Sequence, residues 1–204
     1  MTEIPATMSG VYLTRHGGPE ALEWRQDIPV PHPGRGQVLV RVLAAGVNNT
    51  DINTRVGWYS SDVTGATEDV GGEDKVEAGG WGGTLKFPLI QGGDICGEVA
   101  VLGEGVSDVD LGARVTSQIN IPRPSPDKPF AFIALGSEVD GAFAQYCLLE
   151  ADEVFDVSSS PLSDVEVAAI PCGFGTAWNM LNRAGVSEGH EVLITGASGV
   201  VGLA

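Results

Sequence analysis

The sequence predicts a mainly β chain that turns α/β towards its end: a small β-barrel over residues 1–157, then connecting helices and a first βα unit over 158–204. Three observations predict it. Short apolar or alternating runs, punctuated by Gly and Pro, recur from residue 8 to residue 156. After "SSSP" (158–161) this period-two pattern gives way to helical spacing. A fully apolar stretch at 192–195 then runs directly into "GASGVVG".

The elements follow in order. "VYLTRHGG" (11–18), "VLVRVLAAG" (38–46), "DICGEVAVLGEGV" (94–106), "ARVTSQI" (113–119) and "AFAQYCLLEADEVFDV" (142–157) alternate or stay apolar over strand lengths, so each reads as a barrel strand. In "SDVEVAAI", Ser163 stands three residues before Glu166, the spacing at which the two side chains cap each other's backbone N–H groups and start a helix. Helical character continues through "AWNML" (177–181). Residues 192–195 read as a buried strand. Gly196, Gly199 and Gly202 then lie three apart, leading into a further helix.

Composition bounds the function. The 204 residues are 43% hydrophobic, enough for a core, and carry a net charge of −16, which opposes nucleic acid and anionic membranes. "MTEIPATMSG" lacks a basic-then-apolar leader, and no apolar run reaches the ~18 residues of a membrane span. A cytoplasmic protein is expected. Cys96, Cys147 and Cys172 are odd in number and far apart, which fits reduced thiols better than a disulfide framework. His16, His32 and His190 are scattered and form no metal or nucleophile–base signature.

The glycine loop is the most informative stretch. Glycines after a buried strand let the backbone approach a pyrophosphate at a helix N-terminus, although the same residues also serve an ordinary tight turn. A dinucleotide fold needs further βα units, including the residue about 20 positions on that reads the ribose. None follows, so the chain is expected to be part of a longer protein.

The order of features resembles the medium-chain dehydrogenase/reductase superfamily, with its GroES-like β-barrel catalytic domain followed by a Rossmann fold. The resemblance runs along nearly the whole chain, through "GGPEALEWRQDIPVPHPGRGQVLVRVLAAGVNNTD", "FPLIQGGDICGEV", "VSDVDLGARV", "GAFAQYCLLEADEVFDV", "AAIPCGFGTAWNML" and "EVLITGASGVVG". Zinc-dependent members place a cysteine ligand where this chain has Asn48 and a histidine ligand where it has Gly93. Cys172 stands where a third ligand lies, and one thiol cannot make the roughly three-ligand site that catalytic zinc needs. The loop "NIPRPSPDKPFAF" also lacks the cysteines of a structural zinc lobe. No zinc is therefore expected.

"GVNNTD", followed by Arg55, Gly57 and Tyr59 in "RVGWY", is similar instead to the quinone oxidoreductase branch, as is "GTAW". That resemblance implies an NADPH-dependent reductase of quinones or α,β-unsaturated carbonyls, with NADH left open. It implies that Asn48, Asp51 and Tyr59 line the cleft by nicotinamide and substrate, and that Thr176 lies by the nicotinamide. Gly196, Ala197, Gly199, Val200 and Gly202 would lie by the pyrophosphate. A homodimer is implied when the full cofactor domain is present.

Residue chemistry fits these roles. Without a Lewis acid the substrate must already be electrophilic, so positioning matters most. Asn48 holds a carbonyl or carboxamide, Tyr59 donates to a developing oxyanion, and Trp58 walls the pocket. Each has a plain structural alternative: Asn48 and Asn49 in a turn, Asp51 capping a short helix that starts at Ile52, Trp58 and Tyr59 in the core. Arg55 meets either a phosphate or an acidic surface neighbour. The acidic, Gly-rich segment 60–86 reads as a surface insertion or as a lid carrying Trp81 over the cleft. Its acid pairs, Glu68 with Asp69 and Glu73 with Asp74, lack EF-hand spacing. A non-catalytic interaction module is the competing class.

Overall fold

The structure, a computed structural model, describes residues 3–60, 63–65 and 79–204. Ten strands form a curled, antiparallel half-barrel. A five-stranded sheet runs β10-β6-β5-β3-β9, a three-stranded sheet runs β2-β1-β4, and β7 pairs with β8. The strands are β1 (Thr7–Leu13), β2 (Leu22–Pro29), β3 (Gln37–Gly46), β4 (Leu89–Ile90), β5 (Asp94–Leu102), β6 (Arg114–Ser117), β7 (Asn120–Pro122), β8 (Phe132–Ala134), β9 (Tyr146–Glu150) and β10 (Val154–Asp156).

β3 organises the barrel because its alternating side chains feed two cores. Val38 and Val40 join Ile95, Val99, Val115, Cys147 and Leu149, while Leu39 faces the opposite way to meet Met8, Ile28, Ile90 and Tyr146. Its register opposes Val38 to Leu102 and Gly46 to Asp94 on β5, and Gln37 to Glu150 on β9. Close backbone approach sets one residue type here. A Cβ on Gly97 would run into the Val40 side chain and the Arg41 carbonyl, so only glycine fits.

Among the described residues the α-helices are α1 (Asn49–Val56), α2 (Asp164–Ala168), α3 (Gly173–Arg183) and α4 (Val200–Leu203). α2 has the expected cap, with Ser163 N–H donating to Glu166 Oε2 at 2.8 Å and Glu166 N–H to Ser163 Oγ at 3.3 Å. It docks on the sheet through Val167 and Ala168 against Cys96. Arg114 on β6 anchors it, donating from Nε to Asp164 at 2.7 Å and from Nη2 to the Leu162 carbonyl at 2.8 Å.

The structure corrects several expectations. Residues 192–195 form no strand: 191–194 are irregular, and Leu193 is 90% exposed. A strand needs a ladder partner, and none lies beside this stretch among the described residues. The run 142–157 is two strands, split by the 3-10 turn Ala151–Glu153, which moves the chain from β3 to the far edge at β6. The loop read at 120–132 lies within the β7–β8 hairpin, which pairs Asn120 with Ala134. α1 starts after Asn48, so Asp51 sits in its first turn and does not precede it. Glu68, Asp69, Glu73 and Asp74 lie outside the described residues. Among the described residues no helix is long and apolar enough to cross a membrane.

Candidate active site

The site begins where β3 ends. Gly46 lies so close to its surroundings that a Cβ there would sit 2.6 Å from the Ala168 carbonyl and 2.8 Å from Asp94 Cβ, so the strand end is pressed against α2 and β5. The chain then turns, and Asn48, in extended conformation, caps α1.

Asp51, only 9% exposed, is held from three directions. Its Oδ2 accepts the Asn48 N–H at 2.8 Å, its Oδ1 accepts the Gly92 N–H at 3.2 Å, and its carbonyl accepts Gln91 Nε2 at 2.8 Å. Burial pushes its carboxyl up to about 6, and the neighbouring Asp94 charge adds to this against the two N–H donors. The return bond to Asn48 N–H is the carboxylate half of a capping box, which explains an acid in a helix's first turn.

Asp94, at the head of β5, is 1% exposed. Its Oδ2 accepts Asn48 Nδ2 at 3.0 Å and its Oδ1 accepts the Cys172 N–H at 2.9 Å. Burial raises its carboxyl, and those two donors oppose the rise. The Cys172 thiol is raised to about 11, first by burial and then by the Asp94 charge, with a hydrogen bond to Thr50 opposing. It is therefore a neutral thiol at pH 7.

After α1, Gly57 takes the left-handed conformation that ends the helix, and Trp58 and Tyr59 follow. The Tyr59 ring lies 5.3 Å from both Trp58 and Trp81, edge-on to the first and tilted to the second. Burial raises its phenol, opposed by a hydrogen bond with Asn53. Arg55 Nη1 donates to the Gly17 carbonyl at 3.1 Å, and its charge joins the backbone hydrogen bonds that lower the Glu20 carboxyl.

Two cavities meet at Cys172. One, of about 530 Å³, is lined by Asn48, Thr50, Cys172, Met180 and the glycine loop, including Gly196, Gly199, Val200 and Gly202. The other, of about 550 Å³, is lined by Trp81, Gln118, Asn120, Cys172, Thr176 and Asn179. Thus Asn48 and four of the five loop residues share one wall system, with Thr176 in the adjoining cleft. Ala197 lines neither; its Cα would stand 2.6 Å from a Cβ on Gly202, so that glycine lets the loop fold back on itself. Asp51 and Tyr59 also line neither, the first standing behind Asn48 and the second behind Trp81.

Sequence reading missed Asp94 and Gln91. The available signal was an acid directly after two glycines at the head of an apolar strand, "GGDICG". Of the three positions compared with zinc ligands, Asn48 presents an amide engaged by Asp94 and Gly93 has no side chain, which leaves the Cys172 thiol as a single donor. Among the described residues no group of three or more His, Cys, Asp or Glu stands ready for a metal ion.

Residues 34–159 match the alcohol dehydrogenase GroES-like domain. The chain belongs to that family. The GroES-like match lies within the medium-chain dehydrogenase/reductase superfamily. The quinone oxidoreductase of Lama guanicoe is 30% identical over 97% of this chain and 48% of its own length. An acryloyl-coenzyme A reductase from Metallosphaera sedula is 26% identical over 87% of this chain and 49% of its own length. A crystal structure named as an alcohol dehydrogenase, from Sinorhizobium meliloti 1021, superposes with a TM-score of 0.84 at 38% identity, covering 99% of this chain and 54% of that one. The GroES-like chain thus spans about half the length of the relatives it matches.

Proposed function

We propose that this chain is the catalytic-domain part of an NADPH-dependent, zinc-independent oxidoreductase that reduces quinones or α,β-unsaturated carbonyls. Residues 1–157 form its GroES-like domain, and 158–204 begin its Rossmann domain. The observation that carries this reading is Asn48 on the wall of a cavity shared with the glycine loop, its amide held by a carboxylate where zinc-dependent relatives hold a metal.

The bound dinucleotide would supply hydride. Gly196, Ala197, Gly199, Val200 and Gly202 would hold its phosphate end: Gly196 takes a left-handed turn with open space beside it, and Gly202 lets the loop fold back on Ala197 ahead of α4. Asn48 orients the carboxamide or the substrate carbonyl, and Asp51 and Asp94 keep Asn48 in place. Thr176 faces the reacting side, and Tyr59 supports the aromatic wall from which a hydrogen bond reaches the developing oxyanion. Names of the relatives support the substrate class, quinone in one and an activated alkene in the other. The reading includes a cytoplasmic homodimer paired through the completed cofactor domain.

A second reading is a GroES-like interaction module without turnover, in line with the match of residues 34–159 to the GroES-like domain. Oxidation of NADPH by the full-length protein carrying this sequence, with a quinone or enone and a chelator present, separates the two. Turnover unaffected by chelator is expected. Turnover abolished by chelator overturns the metal-free mechanism, and no turnover with any such acceptor favours the module.

A further inference from the structure

We propose that the cavity between β1, β4, β9 and the β7–β8 hairpin is a binding site for organic cations, taking an ammonium group on a small apolar body. Among the described residues it shares no lining residue with either cavity at Cys172, so this site stands apart from the oxidoreductase reading above.

The floor comes first. The cavity holds about 450 Å³, the size of a small-molecule site. Met8, Ile28, Ile90 and Tyr146, which pack together as the second core of the barrel, also line it. Tyr12, opposite Ile90 in the β1–β4 pair, belongs to the same wall. An apolar group seated on these side chains leaves water for a surface that the sheet already holds in place.

The rim then sets the charge. Four carboxylates line the cavity together with two cations, Lys86 and Arg123. Three of the four are held by uncharged donors, which fix them in place and leave their charge intact. Glu138 accepts the Gly82 N–H at 2.9 Å and the Ala134 N–H at 2.8 Å, Asp140 accepts the Ile90 N–H at 2.8 Å, and Glu150 accepts Gln37 Nε2 at 2.9 Å. The fourth, Glu153, is 6% exposed: Arg123 Nη1 donates to its Oε1 at 2.6 Å, which spends that cation, and its Oε2 has no partner among the described residues. A ligand needs no contact with that oxygen, because the field of a buried charge crosses low-dielectric protein into the cleft beside it. The Asp140 charge is already felt at Tyr12, whose phenol is raised first by burial and then by that carboxylate. An ammonium entering this field exchanges water for fixed carboxylates while its apolar body covers the floor, whereas a carboxylate of the same size meets like charge.

The test titrates this chain, ¹⁵N-labelled, with three probes of similar size: benzylammonium, benzyl alcohol and benzoate. Benzylammonium is expected to shift the Ile90 backbone amide and the Gln37 side-chain amide saturably, binding at least about tenfold more tightly than benzyl alcohol and more tightly still than benzoate. Asp140→Asn, which removes the charge and keeps an acceptor for the Ile90 N–H, should weaken benzylammonium by about threefold or more, whereas Lys86→Ala should tighten it. A folding defect would weaken binding in either variant, so the opposite signs guard against one. No saturable shift with benzylammonium, equal binding of benzyl alcohol, shifts spread over the acidic surface or centred at Cys172, or the same direction of change in both variants overturns the proposal.

Discussion

Asn48 and Asp94, 46 residues apart in sequence, meet through a hydrogen bond of 3.0 Å from Nδ2 to a carboxylate that is itself 1% exposed. The same carboxylate accepts the backbone N–H of Cys172, 78 residues further on. One side chain therefore ties the end of β3, the head of β5 and the start of α3.

Removing that carboxylate leaves two donors facing a dry space. Asp94→Ala should cost about 2–5 kcal/mol, measured by urea denaturation. Exchanging the partners, Asn48→Asp with Asp94→Asn, restores a donor opposite an acceptor. The double variant should be more stable than the sum of the single losses predicts, and strict additivity would show that the bond contributes nothing.

Asp51 makes stability depend on pH in an unusual direction. Its carboxyl is raised in the folded chain, from 3.8 to about 6, so the folded state holds the proton more tightly than the unfolded state. The contribution is fully present below about 3.8 and is lost as pH rises through 6. A two-unit shift corresponds to roughly 3 kcal/mol. Comparing the unfolding free energy of wild type and Asp51→Asn from pH 4 to pH 7.5 should show a flatter profile in the variant; parallel profiles would refute the assignment.

Thiol chemistry should be slow. Cys147 is raised to about 12 by burial and Cys172 to about 11, so neither carries much thiolate at pH 7. With a disulfide reagent on the native chain, Cys172 should react slowly, its rate rising about tenfold per pH unit up to pH 10. Cys147 should wait for unfolding. Fast labelling of Cys172 at pH 7 would be the contrary result.

Gly82 and Gly83 form a matched pair. A methyl group on Gly82 meets the Phe132 carbonyl, whereas one on Gly83 meets nothing within 4 Å. Gly82→Ala should destabilise by about 1–3 kcal/mol and raise acrylamide quenching of Trp81 fluorescence, with Gly83→Ala close to wild type. Equal behaviour of the two would mean that the loop does not hold Trp81 against Tyr59.

The features legible in the sequence are the local ones. Ser163 and Glu166 cap α2 as their spacing predicts, because both partners lie within one helical turn. The apolar run 38–46 likewise marked the strand that became β3. Asp94 was not legible, since its meaning depends on partners 46 and 78 residues away. Asn48 was singled out through family resemblance, which carries such long-range information in compressed form. Residues 192–195 mark the opposite case: their composition suits a strand, but a ladder is a property of two segments and its partner is not among those described.

The Arg114 anchor also sets how α2 stays on the barrel as the solvent changes. Its guanidinium, on a side chain 19% exposed, meets the Asp164 carboxylate and the Leu162 carbonyl, while Val167 and Ala168 pack on Cys96. Ions in the solvent weaken the first tie and leave the second, so the grip of α2 on β6 should slacken with ionic strength while its apolar seat persists.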